Sequence, residues 1–482
     1  MMNISKRDFT IIHLLVMITI IAIFFILPPV GSLTQIGMRV IGVFIAVVYG
    51  WSVANLIWPS LIAIVALPFT GIATMNEFIA AGLGNDTIYF LIFILIFSEW
   101  VNSSGLNDFI ANWFISRRIL NGRPWLFMTF FFLGCMVMGF MINAFLGMLV
   151  MWGILFRLCE IAGYKPYDKW PTMMQIGILL FHLIGTAIPP YRGFTLILLG
   201  SYSRMGGQPV DMFSWISFSI PVALISLLIY LFVWKFIIRV DVKPLANILN
   251  GEIVDKSTLV LTKQKKMVLG YFVVFILLLF LPSLMPEAWL LTGMLKKLGN
   301  GGIITFILLC MCFTKVDGKP TFDFNAMAKK GVVWDIILVC MVVIPLGTYL
   351  TDEATGVTPF ILGLLTPVFG SLPYVVFFFV VFAVATLLTN VMSNLVVAFV
   401  LIPVVMGIAA NAGVNELPTV FMIILAVHYA ILTPAACGYS AMALAKKDWL
   451  KTSDMYKYGG ITVLFLIIAL GIFGYLWTSL VL

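Results

Sequence analysis

The chain has 482 residues, of which 62% are apolar and 10% charged, with a mean hydropathy of +1.13 and a formal net charge of +8. A water-soluble domain carries about 25% charged residues, so this composition excludes a soluble enzyme or nucleic-acid binder and requires lipid around the apolar surface. The basic excess lies in loops, where it sets membrane orientation.

The first hydrophobic stretch, 9–27, follows Lys6-Arg7. It is long enough to cross a bilayer and lacks a small-residue cleavage site, so it reads as a retained helix with a cytoplasmic N-terminus. Further spans are expected at 36–53, 57–69, 87–102, 172–204, 212–238, 267–281, 302–313, 332–350, 419–445 and 461–477. That makes about eleven, on the rule that a crossing takes about 20 residues. Asn107 to Ile119 has the pattern of a helix lying in the interface, with a counterpart at 358–369. Glu99, Asp86 and Asp335 sit near helix ends and read as interfacial carboxylates. The cysteines lie in or beside apolar segments without metal-ligand spacing, as buried thiols do.

Two apolar stretches are left over, 124–159 and 373–410. Arg123 and Arg157 flank the first, and both belong on the cytoplasmic side, so the segment must enter, turn and return. The loop 240–266, with Lys243, Lys256, Lys263, Lys265 and Lys266, is cytoplasmic on the same rule. Loops 31–35, 206–210 and 411–417 are poor in Lys and Arg and read as external. The first hairpin then opens inside and the second outside.

The chain nearly repeats itself. Met141-Ile142-Asn143-Ala144 in the first hairpin matches Met392-Ser393-Asn394-Leu395 in the second. Pro171-Thr172-Met173 leads to His182 and to Thr186 before Pro189-Pro190, as Pro418-Thr419-Val420 leads to His428 and Thr433-Pro434. Paired, Gly/Pro-interrupted hydrophobic segments at matching places in two halves point to a transporter's binding site. The fold expected is an all-α integral membrane protein with about eleven transmembrane helices and two re-entrant hairpins in an inverted-topology repeat. Its parts are an N-terminal helix (1–35), a first repeat (36–239), a cytoplasmic linker (240–266) and a second repeat (267–482). Breaks at Gly185-Thr186 and Thr433-Pro434 should meet the hairpin tips near mid-membrane, offering carbonyls to a cation and helix N-termini to an anion.

On these residues the chain resembles the divalent anion/sodium symporter family of the wider ion transporter superfamily, over most of its length. Trp51 to Gly71, with Trp58-Pro59 and Leu67-Pro68, is similar to the family's early helices, and Thr389-x-x-x-Ser393-Asn394 to its second Ser-Asn-Thr tip. The resemblance implies an elevator-like, homodimeric secondary carrier of a small organic anion, with sodium as coupling ion. It implies sodium at Thr389, Asn394, Asn143 and the backbone near Thr433, and substrate at Asn143, Ser393, Asn394, Thr186 and Thr433. The tips depart from the pattern: Ile142-Asn143-Ala144 lacks both hydroxyls, and Ser393-Asn394-Leu395 lacks its threonine. Each lost hydroxyl removes about 1 kcal/mol of hydrogen bonding, which shifts the expected substrate toward a carboxylate with one principal charged group.

Three more residues complete the candidate site. Arg192 is either an anion clamp, since guanidinium matches carboxylate bidentately, or an arginine snorkelling to the outer surface. His182 and His428 either line the cavity, with proton transfer open to them, or tie hairpin backbone to helix backbone. The chain has no HExxH, GxSxG or Gly-Lys-Ser/Thr phosphate loop. No enzyme, nucleotide pump or cofactor is therefore expected. The expected partners are a small anion and the bilayer of a bacterial inner membrane, with the C-terminus external. The alternative is a proton- or sodium-coupled carrier of an inorganic ion or oxyanion on the same fold.

Overall fold

The computed structural model describes residues 6–141, 144–248, 260–286, 289–361, 363, 372–434, 436–445 and 449–481. The predicted tip residues Ile142 and Asn143, Lys256 of the linker, and most of the interfacial counterpart at 358–369 lie outside the described residues. Among those described, helices dominate, and the sheet is a two-stranded hairpin pairing Lys315–Val316 with Lys319–Pro320.

Among the described residues, eleven helices are long and apolar enough to cross a membrane, but they are not the expected set. Two of them, Pro124–Met141 and Asn394–Ala412, are hairpin arms. Expected span 57–69 is a short helix, Ile57–Ala66, closed by a 3-10 turn, Leu67–Thr70. Expected spans 172–204 and 419–445 are each two helices with a break. The short span at 302–313 is the end of Leu290–Phe313, which bends at Gly299, where φ is +61°. Only glycine adopts that backbone cheaply. The amphipathic segment forms a helix at Leu106–Ile115. The cysteines are not uniformly buried: Cys135, Cys159 and Cys340 are, while Cys312 is exposed.

The middle of the molecule is built from the hairpins and broken helices. An 18-residue window of Lys169–Ala187 is 94% buried, whereas Phe9–Ile26 is 6% buried and belongs to the rim. The first hairpin pairs Pro124–Met141 with Ala144–Ala162, and both arms pack along Lys169–Ala187. The second pairs Tyr374–Leu388 with Asn394–Ala412, and both pack on Leu417–Ala426.

The hairpins open toward opposite ends. The Lys243–Ile248 helix packs on both arms of the first hairpin, the Tyr164 hydroxyl donates to the Asp241 carbonyl at 3.2 Å, and Phe156 stacks on Trp449. At the other hairpin the Tyr374 hydroxyl donates to the Asn415 carbonyl at 2.9 Å. Next to it, Tyr202 donates to Glu416 at 2.7 Å, and Arg204 pairs with Asp86 at 2.7 Å. The continuous 27-residue segment Met212–Ile238 joins the two ends and spans about 40 Å at 1.5 Å per residue.

Candidate functional site

The first broken helix runs past the expected break. Gly185 and Thr186 are still helical, and the helix ends at Ala187. Pro189 and Pro190 bring no N–H to the ladder, so it cannot continue. The chain resumes at Gly193–Arg204, with Arg192 extended and Gly193 at φ +61°. That left-handed glycine turns the chain back into a helix. Thr186 is half-buried and gives its hydroxyl to the Leu183 carbonyl at 2.7 Å, within its own turn. Two carbonyls at the break, those of Ala187 and Ile188, already have donors. Trp215 Nε1 donates to Ala187 at 3.1 Å and to Ile188 at 3.0 Å, and Thr195 adds a bond to Ala187 at 3.0 Å.

Arg192 does not snorkel outward. Its Nη2 donates to the Gly139 carbonyl of the first hairpin at 3.3 Å. Tyr439, on the second broken helix, is near enough for phenol and guanidinium to interact. Arginine, hairpin backbone and tyrosine thus come together from three elements. Tyr439 was missed by sequence reasoning, because a tyrosine beside an apolar helix carries no signal of its own.

The second broken helix ends at Ala426 and resumes at Gly438–Ala445. The hairpin tip folds onto the start of the gap. Thr389 donates to the Val427 carbonyl at 3.4 Å, and Asn394 Nδ2 donates to the same oxygen at 2.6 Å. Both side chains are buried, and Asn394 Oδ1 has no hydrogen-bond partner among the described residues. Ser393 precedes the Asn394–Ala412 helix without capping it. Thr433 donates to the Asn390 carbonyl at 2.6 Å. Asn390, also missed by sequence reasoning, makes four side-chain bonds in this cluster. Its signal was available, since a buried amide in an apolar run needs partners.

His182 and His428 are buried, and each directs Nδ1 to the carbonyl one turn back, Ile178 at 2.7 Å and Ile424 at 2.8 Å. Each is therefore tied to its own helix, and the expected bridge to hairpin backbone is not formed by these bonds. A carbonyl only accepts, so both rings carry the proton on Nδ1. Among the described residues His182 Nε2 is buried without a partner. The structure thus joins Thr389, Asn394, Val427 and Thr433 in one cluster and Arg192, Gly139 and Tyr439 in another. Asn143 lies outside the described residues.

A family model described as citrate transporter matches residues 44–427. Among solved structures, the YdaH transporter of Alcanivorax borkumensis, described as having an unusual topology, superposes with a TM-score of 0.54. The likeness covers 84% of this chain and 87% of that one at 11% identity, and at that identity it speaks for the fold alone. No curated protein matches the chain.

Proposed function

The chain belongs to the citrate transporter family, and from that premise we propose that this multi-pass membrane protein is a secondary active carrier of a small carboxylate anion coupled to sodium. The observation that carries the coupling is Asn394 Oδ1, buried with no donor among the described residues, beside the Val427 carbonyl and Thr389. An acceptor closed off in this way costs about 1–3 kcal/mol. Unwound backbone and side-chain oxygens are what transporters offer to sodium. The anion's place is Arg192 with Tyr439, where a carboxylate displaces the Gly139 carbonyl from the guanidinium. Citrate is the first candidate from the family; a monocarboxylate with a larger apolar remainder suits Leu395 and the sequence's Ile142 and Ala144.

We read 36–239 and 267–482 as an inverted repeat, with 240–266 as linker, because the hairpins open toward opposite ends. Two such hairpins fit elevator-like alternating access better than a continuous pore. The lysine-rich loops support a cytoplasmic N-terminus and an external C-terminus, in what we read as a bacterial inner membrane.

The test is uptake into proteoliposomes with sodium or choline outside, competed by citrate, C4 diacids and monocarboxylates, in wild type and Arg192→Gln. Sodium-dependent uptake that Arg192→Gln weakens is expected. Equal uptake in choline that follows a proton gradient sinks the sodium reading and favours a proton-coupled carrier, for which the unpartnered Nε2 of His182 is the observation.

A further inference from the structure

An asparagine side chain offers two donor hydrogens and one acceptor oxygen with two lone pairs. Asn390 uses all of this capacity within the protein. Its Nδ2 donates to the carbonyls of Thr386 at 2.8 Å and Tyr429 at 3.0 Å, and its Oδ1 accepts from the N–H groups of Ile431 at 2.9 Å and Leu432 at 2.8 Å. Nothing remains for a ligand. Three of these bonds reach the unwound segment after Ala426, and Thr433 adds a fourth tie by donating to the Asn390 carbonyl. The segment is further held by the Ser440 hydroxyl on the Ala430 carbonyl and by Ser226 on the Tyr429 hydroxyl at 3.0 Å.

We propose that Asn390 is a positioning residue for the coupling cation: its amide fixes the path of residues 429–432 and so aims the Val427 carbonyl at Thr389 and Asn394. The proposal rests on the sodium reading above and adds to it a residue that touches no ion. Placement supports it, since Asn390 follows Thr389 directly and stands one turn before Asn394. So does the other half of the molecule. When Met141–Ala144 is set against Met392–Leu395, Asn390 falls on Gly139, which has no side chain and whose carbonyl takes Arg192 instead. The amide clamp therefore occurs in the half that keeps the threonine and asparagine of the cation pattern. An unwound segment that is free to rearrange presents its carbonyl only part of the time, and the affinity for the cation falls by that fraction.

The experiment is a sodium titration of uptake in proteoliposomes, with sodium-dependent thermal stabilisation in parallel, for wild type, Thr389→Ala, Asn390→Ala and Thr433→Val. Asn390→Ala should raise the sodium half-saturation about tenfold, with the substrate KM at saturating sodium changed less than about twofold. Thr433→Val removes one tie and should raise it about threefold; it carries the test alone if Asn390→Ala does not fold. If these variants melt earlier but keep the wild-type sodium half-saturation, while Thr389→Ala loses the sodium response, Asn390 is only structural and the proposal is overturned by itself. A wild type with no sodium response overturns the sodium reading, and this proposal with it.

Discussion

Gly139 and Gly185 meet backbone to backbone where the first hairpin crosses the first broken helix. A methyl group built on Gly139 would stand 3.0 Å from the Gly185 Cα and would clash with the His182 carbonyl oxygen. One built on Gly185 would clash with the Met136 carbonyl oxygen. Membrane helices approach this closely on small residues, because packing rather than hydrophobicity drives their association. Gly185→Ala should therefore push the hairpin off its helix at a cost of about 1–3 kcal/mol. The measurement is the melting temperature in detergent, and an unchanged value rules out the contact.

The same crossing makes room for a histidine. A methyl group on Gly147 would lie 2.7 Å from His182 Nε2. Gly147→Ala should destabilise the protein in the wild-type background and be nearly neutral beside His182→Ala. A double-mutant cycle should then give a coupling of about 1–2 kcal/mol. Additive effects would mean that the imidazole does not face the second arm of the hairpin.

How much of this was legible in the sequence follows from what each feature needs. The hairpins and the pairing of His182 with His428 were readable, because charge placement and hydrophobic length are local properties. Thr389 and Asn394 were found through a resemblance, and the structure brings them to one carbonyl. The position of the first break was misread. Gly185-Thr186 looks like a helix end, but glycine at this crossing serves close packing, and the prolines after it end the helix. The Trp215 cap could not be seen either, since it joins residues 27 and 28 apart and depends on where two helices cross.

Orientation gives a third prediction. The first hairpin opens beside Asp241 and Trp449, and the second beside Asn415 and Glu416. Single cysteines at Tyr164 and at Asn415, in a background without native thiols, should react from opposite sides of the membrane in intact cells. An impermeant maleimide should reach the Asn415 position only. Labelling of both from outside contradicts the opposed hairpins.

The last prediction concerns how many sodium ions would accompany each anion under the proposed coupling. In the second half the Val427 carbonyl takes the Asn394 Nδ2 and the Thr389 hydroxyl, while Asn394 Oδ1 is buried with no donor among the described residues and is the oxygen left for a cation. In the first half the break carbonyls of Ala187 and Ile188 already receive the Trp215 indole N–H, with Thr195 and Ser219 hydroxyls beside it. A sodium ion there would have to displace these donors and leave the indole N–H buried without an acceptor, at about 1–3 kcal/mol. The sequence adds that the first tip carries Ile142 and Ala144 where hydroxyls would stand. Sodium activation of uptake should therefore be hyperbolic, with a Hill coefficient of about 1. Trp215→Phe should lower the melting temperature and leave the sodium half-saturation where it was. A coefficient approaching 2, or a half-saturation that moves in Trp215→Phe, would place a second cation at the first break.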